Sequence, residues 1–287
     1  MNLAQHRTTL RQVEPLLRDA AAALVVPRWR RLQHGDASEK SPGEWVTIVD
    51  REVEEAVSAG LLRLMPDSIV VGEESCTAEP HRIDSLGSGI AWLVDPLDGT
   101  ANFIAGRPPV SLMVALLEGG DTVAAWMLDP LTGTMHRAEK GGGAWRDGER
   151  VFVSGGREPM RRGIVKTRFL PEAFKAGAAL ALSASAIDVQ AGSNCAGTDY
   201  PDVADAASDF ALYWRTLPWD HAPGALFLTE AGGHVARLDG SAYRPGEQRD
   251  GLLVARSRLL WEQAQAVFMQ ARPPSETSRS APGPCSS

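Results

Sequence analysis

Three features of the sequence predict an α+β fold. Near the amino terminus, apolar residues recur three and four positions apart, as on one face of a helix: Leu10, Val13, Leu17, Ala20 and Leu24. Between residues 110 and 138, short apolar runs separated by glycine and proline turns indicate an antiparallel meander. After about Val153, strand-like and helix-like segments alternate, which favours an α/β second half.

The amino-terminal segments come first. Residues 1–32 are predicted to be helical, with Pro15 marking either the true start of the helix or a kink. A polar loop is expected over residues 34–43. Asp50 is the predicted N-cap of a second helix, because it precedes an apolar stripe that ends at Pro66.

Strands and helices follow along the rest of the chain. Strands are predicted at 69–72, 90–94, 110–117, 122–128, 134–138, 164–166, 186–189, 210–213 and 252–255, and helices at 222–230 and 259–269. The segment 272–287 is rich in proline and serine without periodicity, and we expect it to be disordered. The chain therefore divides into an α+β half at 1–153, an α/β half at 154–271 and this tail.

Composition excludes several classes of protein. The chain has 287 residues, of which 44% are hydrophobic, enough to form a large core. A net charge of −7 argues against a nucleic-acid-binding face. Cys76, Cys195 and Cys285 are far apart, which argues against a disulfide framework or a zinc knuckle and fits a reducing, cytoplasmic compartment. The apolar run 20–26 is much shorter than the roughly 20 residues of a membrane span, so we expect a soluble protein.

Acidic residues directly follow apolar segments at three places. The three segments are Gly72-Glu73-Glu74-Ser75, Asp95-Pro96-Leu97-Asp98-Gly99-Thr100-Ala101-Asn102-Phe103, and Trp219-Asp220-His221-Ala222-Pro223-Gly224. In the second, Asp95 ends an apolar strand and Pro96 should stop the ladder, because proline has no N–H to donate. Two carboxylates three residues apart at a strand end are suited to a hard cation.

The alternative for this segment is a solvated Asp-Pro-x-Asp-Gly turn, since turns use these residues freely. Three acidic segments, each at the end of an apolar element, argue against that alternative. Gly99 and Thr100 also offer backbone N–H groups where a helix would begin, and such a terminus favours phosphate. The residues therefore indicate a site for cations and phosphate.

Taken in order, the three segments resemble those of the inositol monophosphatase family, and the resemblance runs from about Lys40 to Gly233. It implies a layered α-β-α-β-α sandwich of the inositol monophosphatase / fructose-1,6-bisphosphatase type. It also implies a cytoplasmic, lithium-sensitive phosphatase that binds two or three Mg²⁺ ions. The partners that it implies are a small phosphorylated metabolite and a second copy of the chain, with no membrane.

The resemblance also assigns roles to residues. Glu73, Asp95 and the Leu97 carbonyl oxygen would bind a first Mg²⁺, Asp95, Asp98 and Asp220 would bind a second, and Glu73 would help to hold a third. Thr100 and Glu73 would orient and activate a water molecule, with Asp50 as a supporting acid. The phosphate would be held at Asp98, Gly99 and Thr100, and Lys40 matches a lysine in a mobile loop near the site.

The sequence departs from inositol-specific members at one position. Many of them place a glutamate seven residues before the aspartate equivalent to Asp220, where this chain has Tyr213, followed closely by Arg215. We therefore expect these two residues to favour a substrate with an aromatic ring or a second anionic group. The alternative is that both side chains only pack at a sheet edge or a subunit interface.

Two classes of function remain open. The first is hydrolysis of a small phosphate monoester, namely an inositol phosphate, another sugar or polyol phosphate, histidinol phosphate or a nucleoside bisphosphate. The second is non-enzymatic binding to RNA or to the transcription machinery, as some similar proteins do. The complete set of Glu73, Asp95, Asp98, Thr100 and Asp220 favours the enzyme, and the acidic net charge makes nucleic acid an unlikely partner.

Overall fold

The computed structural model describes residues 3–153, 160–185 and 187–270. Within these ranges the chain forms a seven-stranded sheet, a five-stranded sheet, a two-stranded hairpin and the helices that cover them. The tail predicted from Arg272 onward lies outside the described residues, as does the segment 154–159 at the predicted boundary between the two halves.

The helices are α1 (Leu3–Ala20), α2 (Ile48–Leu64), α3 (Glu73–Ala78), α4 (Thr100–Ile104), α5 (Glu172–Ala184), α6 (Ala196–Ala204), α7 (Pro218–Glu230) and α8 (Arg258–Gln270). The strands are β1 (Ala37–Ser41), β2 (Glu44–Thr47), β3 (Ile69–Gly72), β4 (Ile90–Asp98), β5 (Ser111–Glu118), β6 (Asp121–Leu128), β7 (Met135–Glu139), β8 (Gly143–Arg146), β9 (Glu149–Val151), β10 (Arg162–Val165), β11 (Asp188–Gln190), β12 (Phe210–Tyr213), β13 (His234–Arg237) and β14 (Leu252–Ala255).

The amino-terminal helix is present, but Pro15 neither starts it nor ends it. Helix α1 begins at Leu3, and Pro15 lies inside it. The stripe of Leu10, Val13 and Leu17 is buried, as the periodicity predicted. A π-helical turn, Ala21–Val25, and a 3₁₀ turn, Val26–Arg28, then end the helical segment.

The prediction of a polar loop at 34–43 was wrong, because most of this segment belongs to a β-hairpin. Strand β1 pairs with β2 in antiparallel fashion, with Ser38 opposite Val46. The sequence does not predict this pairing, because β1 consists largely of polar residues that have little intrinsic preference for strands. Contacts from elsewhere hold it: Arg168 donates to the carbonyl oxygens of Gly43, at 2.8 Å, and of Pro42.

The N-cap of α2 is Thr47 rather than Asp50. The Thr47 hydroxyl accepts a hydrogen bond from the backbone N–H of Val49 at 3.1 Å, and Asp50 Oδ2 accepts one from the backbone N–H of Thr47 at 2.8 Å. This reciprocal capping box places Asp50 three residues inside the helix. Its second oxygen therefore points away from the cap and is available to another partner.

The seven-stranded sheet has the order β3-β4-β5-β6-β7-β8-β9. The antiparallel meander is confirmed from β4 onward, but β3 runs parallel to β4. The crossover between them consists of α3 and a 3₁₀ segment, Pro80–Gly87. Strands β8 and β9 were not predicted, because each has only three or four residues.

The five-stranded sheet has the order β11-β10-β12-β14-β13. Strand β10 runs parallel to both β11 and β12, whereas β13 and β14 are antiparallel additions. The carboxyl ends of three parallel strands therefore lie side by side at one edge of this sheet. Strand β13 was not predicted from the sequence.

The elements stack in five layers, which confirms the predicted α-β-α-β-α sandwich. Helices α1 and α2 cover one face of the seven-stranded sheet through a core that includes Val13, Val57 and Trp92. Helices α6 and α7 fill the space between the two sheets, and α5 and α8 cover the outer face of the five-stranded sheet. Among the described helices, none has the length and apolar character to span a bilayer.

Candidate functional site

The end of β4 carries two of the predicted site residues. Asp95 is buried, with 2% of its surface exposed, and its Oδ1 accepts a hydrogen bond from the Leu97 backbone N–H at 3.0 Å. The prediction that Pro96 stops the ladder was wrong: pairing with β5 resumes at Asp98, across an irregularity that shifts the register. A bulge suits Pro96, because the extra residues are not required to donate to the partner strand.

Gly99 redirects the chain from β4 into α4. Its φ of +87° is a conformation that side chains disfavour, and a Cβ there would lie 3.0 Å from the Pro109 carbonyl oxygen. Thr100 then begins α4, and its hydroxyl lies 2.9 Å from Asp50 Oδ1 and 2.9 Å from the Leu97 carbonyl oxygen. The sharp turn thus brings Thr100 back over the bulge and against Asp50.

Glu73 reaches the same place from the neighbouring strand. Gly72, at the end of β3, is opposite Val94 in parallel register, so that Glu73 follows beside Asp95. Lys40 Nζ lies 2.9 Å from Glu73 Oε1 and 2.6 Å from the Glu74 carboxylate. The hairpin that carries Lys40 is therefore tied to the acidic residues by a largely buried ammonium group.

The acidic set is completed by Asp98, which also lies on β4, and by Asp220 of α7. Asp98 Oδ2 accepts a hydrogen bond from the Gly197 backbone N–H at 2.8 Å, which joins β4 to α6. Asp220 lies in the first turn of α7, where a carboxylate is favoured by the helix dipole. Both side chains line one cleft, together with Glu73, Gly99 and Thr100.

Burial and mutual repulsion both act on these carboxylates. The pKa of Asp95 is raised well above its ordinary value by burial and then by the charges of Glu73, Asp98 and Asp220. Burial, followed by Glu73 and Asp98, raises the pKa of Asp220 in the same way. Burial raises the pKa of Asp98 to about 6, although the Gly197 amide stabilises its charged form. Such a cluster favours a bound cation, because a cation relieves the repulsion.

The donor chemistry fits a hard divalent cation. The four groups offer carboxylate oxygens, and Mg²⁺ and Ca²⁺ prefer oxygen ligands. In the part of the chain that the structure describes, no three acidic, histidine or cysteine side chains are already grouped as a metal cage. Instead, the ammonium of Lys40 is the cation on Glu73, and the two glutamates hold its pKa above its ordinary value even though burial opposes the charge.

The cleft has a volume of about 800 Å³ and lies between the two halves of the chain. Glu73, Asp98 and Asp220 line one part of it. A second wall is formed by the residues that follow β10 and β12, which include Lys166, Arg168, Phe169, Tyr213, Trp214 and Arg215. The acidic part is suited to cations and phosphate, and the second wall to the rest of a ligand.

Arg215 is engaged with the protein itself. It forms an ion pair with Glu44 of the hairpin, and its guanidinium lies 4.0 Å from the centre of the Phe169 ring. Tyr213 is 3% exposed, and its hydroxyl has no hydrogen-bond partner among the described residues. The two residues singled out for specificity thus have different surroundings, one already paired and one unpaired.

His221 follows Asp220 in the first turn of α7. It is buried, its Nδ1 lies 3.1 Å from the Tyr200 hydroxyl and its Nε2 lies 3.3 Å from the Arg215 carbonyl oxygen. Burial lowers its pKa to about 3, so the imidazole stays neutral. Cys195 is buried, and burial raises the pKa of its thiol well above the ordinary value, which argues against a nucleophile.

Several residues of the cleft were not predicted from the sequence. Lys166 and Asp199 form an ion pair of 2.8 Å, and Arg168 and Phe169 form the wall beside it. The signal that was available is positional: Lys166 directly follows an apolar strand, as Glu73 does. Residues at the carboxyl ends of parallel strands face such crevices, whatever their charge.

Comparison with known proteins gives consistent results. A model of the inositol monophosphatase family matches residues 6–274. The Nus factor SuhB of Pseudomonas aeruginosa is 32% identical over 228 residues, which cover 77% of this chain and 83% of that protein. An inositol-1-monophosphatase of Rhizobium meliloti is 31% identical over 214 residues, which cover 73% of this chain and 78% of that protein.

Solved structures share the fold. An IMPase from Thermotoga maritima superposes with a TM-score of 0.75 at 24% identity, covering 91% of this chain and 97% of its own. The extragenic suppressor protein suhB of Bartonella henselae superposes with a TM-score of 0.72 at 22% identity, covering 93% and 97%. The layered architecture is therefore one that these proteins have in common.

Proposed function

The chain belongs to the inositol monophosphatase family, and on that premise we propose that it hydrolyses a small phosphate monoester with Mg²⁺ bound at Glu73, Asp95, Asp98 and Asp220. The family is one of phosphatases and is generally metal-dependent, and the chain is a phosphoric monoester hydrolase of that kind. The observation that carries the proposal is the set of four carboxylates that repel one another in the cleft.

The ligands come from three elements: Glu73 from α3, Asp95, Leu97 and Asp98 from β4, and Asp220 from α7. Glu73, Asp95 and the Leu97 carbonyl oxygen would hold the first ion, and Asp95, Asp98 and Asp220 would hold the second, with Glu73 also available to a third. When bound, the ions polarise the phosphoryl oxygens and make a water molecule more acidic. Li⁺ is expected to inhibit the enzyme, as the family resemblance implies.

Thr100 and Asp50 are placed to handle a proton. The Thr100 hydroxyl donates to Asp50 Oδ1 at 2.9 Å, which leaves its lone pairs able to accept a hydrogen bond from a water molecule. Burial raises the pKa of Asp50 to about 7, where a carboxyl group both accepts and releases protons. We assign Thr100 and Glu73 to orienting the water molecule, and Asp50 to supporting Thr100.

The phosphate is assigned to Asp98, Gly99 and Thr100. The backbone N–H groups of Gly99 and Thr100 belong to the first turn of α4, where N–H groups have no partner within the helix. The carboxylate of Asp98 would act there by holding a cation, which would reverse the sign of the local field. The phosphoryl group is therefore assigned to the turn next to Asp98.

The leaving group would face the wall that contains Tyr213 and Arg215. No acid replaces the glutamate of inositol-specific members in this wall, so we expect myo-inositol 1-phosphate not to be the preferred substrate. An ester with an aromatic ring or a second anionic group fits the aromatic and cationic lining better. Sugar phosphates, histidinol phosphate and nucleoside bisphosphates remain candidates. We also expect a homodimer that acts in the cytoplasm.

The name of one group of relatives supports a second function. SuhB of Pseudomonas aeruginosa is called a Nus factor, which fits the alternative that this chain binds the transcription machinery. The chain, however, retains each acidic residue of the proposed site as well as Thr100, which binding alone does not require. Hydrolysis therefore remains the favoured function.

Phosphate release from a panel of esters tests the proposal. The panel consists of myo-inositol 1-phosphate, fructose 1,6-bisphosphate, histidinol phosphate and adenosine 3′,5′-bisphosphate, each assayed with Mg²⁺. We expect at least one ester to be hydrolysed by the wild type and none by Asp220→Asn. Absence of phosphate release from all four, or equal rates for both proteins, would count against the proposal.

A further inference from the structure

Two connections of opposite direction meet at the carboxyl end of β10. The chain leaves β10 through α5 to reach β11 on one side, then crosses through α6 to β12 on the other side. Helix α5 packs on the outer face of the sheet and α6 on the inner face. In open sheets of this kind a crevice forms outside the strand ends where the connections diverge, and ligands bind there.

Lys166 and Tyr213 stand at this crevice. Val165 and Leu212 are register partners, and the Lys166 backbone N–H donates to the Leu212 carbonyl oxygen at 3.0 Å. Lys166 and Tyr213 therefore follow side by side on adjacent strands, and both line the cleft that contains Asp220. A ligand in the cleft meets them together.

The Lys166 ammonium is fixed in place by a buried carboxylate. Its Nζ lies 2.8 Å from Asp199 Oδ2, and Ser193 holds Asp199 Oδ1 through its backbone N–H at 2.9 Å and its hydroxyl at 2.7 Å. Gly192 leaves room for the pair, because a Cβ there would lie 2.7 Å from Nζ. An ammonium has three N–H donors. Among the described residues Lys166 has an ion pair with Asp199, whose Oδ2 has no hydrogen-bond partner there.

The Tyr213 hydroxyl supplies another unused donor. It is buried and has no hydrogen-bond partner in the described part of the chain. Burial raises the pKa of Tyr213 well above its ordinary value, so the group remains a neutral O–H. A buried donor without a partner costs about 1–3 kcal/mol, which an acceptor on a ligand would recover.

The charges of this wall favour an anion. Lys166, Arg168 and Arg215 are opposed by two carboxylates, those of Asp199 and Glu44. In the described residues Arg168 bonds to backbone carbonyl oxygens and pairs with no carboxylate. Lys166 also lies near Asp98, and Arg215 lies near Glu73 and Asp220. The wall therefore has little positive charge in excess, which suits a single negative charge better than the charge of about −2 on a phosphate group.

From this arrangement we propose that the leaving group of the substrate carries a carboxylate, bound by the Lys166 ammonium and the Tyr213 hydroxyl. The inference rests on the proposed phosphatase function and specifies its substrate class. Lys166 then acts as a residue that determines specificity. The aromatic side chains of Phe169 and Trp214 line the same cleft and suit a flat ring that carries the carboxylate.

Matched phosphate esters test the proposal. Phenyl phosphate, its 3-carboxy and 4-carboxy derivatives and 1,4-phenylene bisphosphate are assayed with Mg²⁺. In the wild type, kcat/KM for the better carboxylated ester should exceed that for phenyl phosphate about tenfold to a hundredfold, the range for a hydrogen bond to a charged group. Lys166→Met should bring the ratio close to one. Lys175→Met, which removes a surface lysine of α5, should leave the ratio as it is.

Two further measurements separate the possible failures. The double variant Lys166→Met/Asp199→Asn leaves no buried charge unpaired, so it serves if the single variant does not fold. In it, too, the ratio of kcat/KM for the carboxylated ester to kcat/KM for phenyl phosphate should be close to one. Calorimetric binding of 4-hydroxybenzoate, with Mg²⁺ and inorganic phosphate present, should weaken at least tenfold in Lys166→Met even if no ester is hydrolysed. No phosphate release at all would overturn the phosphatase function. Equal kcat/KM for phenyl and carboxylated esters, or a clear preference for the bisphosphate, would overturn the proposal that the leaving group carries a carboxylate.

Discussion

The Thr100 hydroxyl donates to Asp50 Oδ1 across a distance of 2.9 Å, which joins the turn after β4 to the first turn of α2. Asp50 is also half of the capping box with Thr47, so a single carboxylate has one oxygen in the cap and the other against Thr100. Its pKa is raised to about 7 by burial. A structural residue of the helix is thereby placed beside the proposed chemistry.

Asp50→Asn should lower kcat on the order of 10² to 10⁴, the usual contribution of a proton-transferring group. An amide cannot receive a proton, so the variant should also lose the acidic limb of its pH–rate profile, which in the wild type should lie at or below pH 7. Steady-state kinetics between pH 5 and pH 9 check both effects. Asp67→Asn, an exposed position beyond α2, is the control. A variant with the wild-type kcat and pH profile would exclude the proton-transfer role.

Asp95→Asn should separate activity from stability. We expect kcat to fall on the order of 10³, since metal charge stabilisation is worth several kcal/mol. Without metal, the folded state should gain stability, because one charge leaves a repulsive cluster. The folded-state pKa of Asp95 is raised, so the wild type loses stability as pH rises from the unfolded value near 4 through the folded value.

The increase in the free energy of unfolding caused by Asp95→Asn should therefore be larger at pH 8 than at pH 5. Thermal unfolding of both proteins in EDTA at the two pH values checks this difference. Since the same histidines titrate in both proteins, their contribution cancels. A gain of equal size at both pH values, or a variant less stable at pH 8, would contradict the repulsive cluster.

Lys40→Met should raise the affinity for Mg²⁺. The ammonium lies 2.9 Å from Glu73 Oε1, so it competes with an ion for that carboxylate. Calorimetric titration should give a Kd several-fold lower than that of the wild type. Lys140→Met removes a lysine that pairs with Asp121 on the surface and should leave the Kd unchanged. Weaker Mg²⁺ binding in Lys40→Met would show that the lysine assists metal binding instead.

Glu44→Gln and Arg215→Ala should have similar effects on kcat/KM for any given ester. The two residues form an ion pair between the hairpin and the wall of the cleft, so either change releases the same contact. In a double-mutant cycle the coupling should be at least about 0.5 kcal/mol, as for residues in contact. If Arg215→Ala alone reduces activity, and only on anionic leaving groups, Arg215 binds substrate directly.

The parts of the site that the sequence predicted share a local signature. Glu73, Asp95 and Asp98 are acids at the ends of apolar strands. The structure places Glu73, Asp98 and Asp220 in the lining of one cleft, and Asp95 is buried on the same strand as Asp98. Their roles as metal ligands remain predictions. The layered fold and the family membership are confirmed. Both could be predicted because the apolar periodicity and the order of the acidic segments extend over long stretches of chain.

The parts that sequence reasoning missed depend on distant contacts. The β1–β2 hairpin has polar strands that Arg168 and Arg215 hold from the other half of the chain. Lys166 and Asp199 are far apart in sequence and meet because β10 and α6 pack together. Asp50 was predicted to be the N-cap of α2, but the N-cap is Thr47 and Asp50 is the third residue of the helix. Threonine and aspartate both cap helices, so the sequence alone did not separate them.

Phosphate release before and after removal of metal is the most direct test of a metal-dependent phosphatase. The purified protein is assayed on its best ester in excess EDTA, then after addition of Mg²⁺ or Ca²⁺ beyond the chelator. Activity should vanish in EDTA and return with Mg²⁺ but not with Ca²⁺, because the site requires the tighter octahedral geometry of Mg²⁺. Undiminished phosphate release in excess EDTA would contradict the assignment of Glu73, Asp95, Asp98 and Asp220 to metal binding.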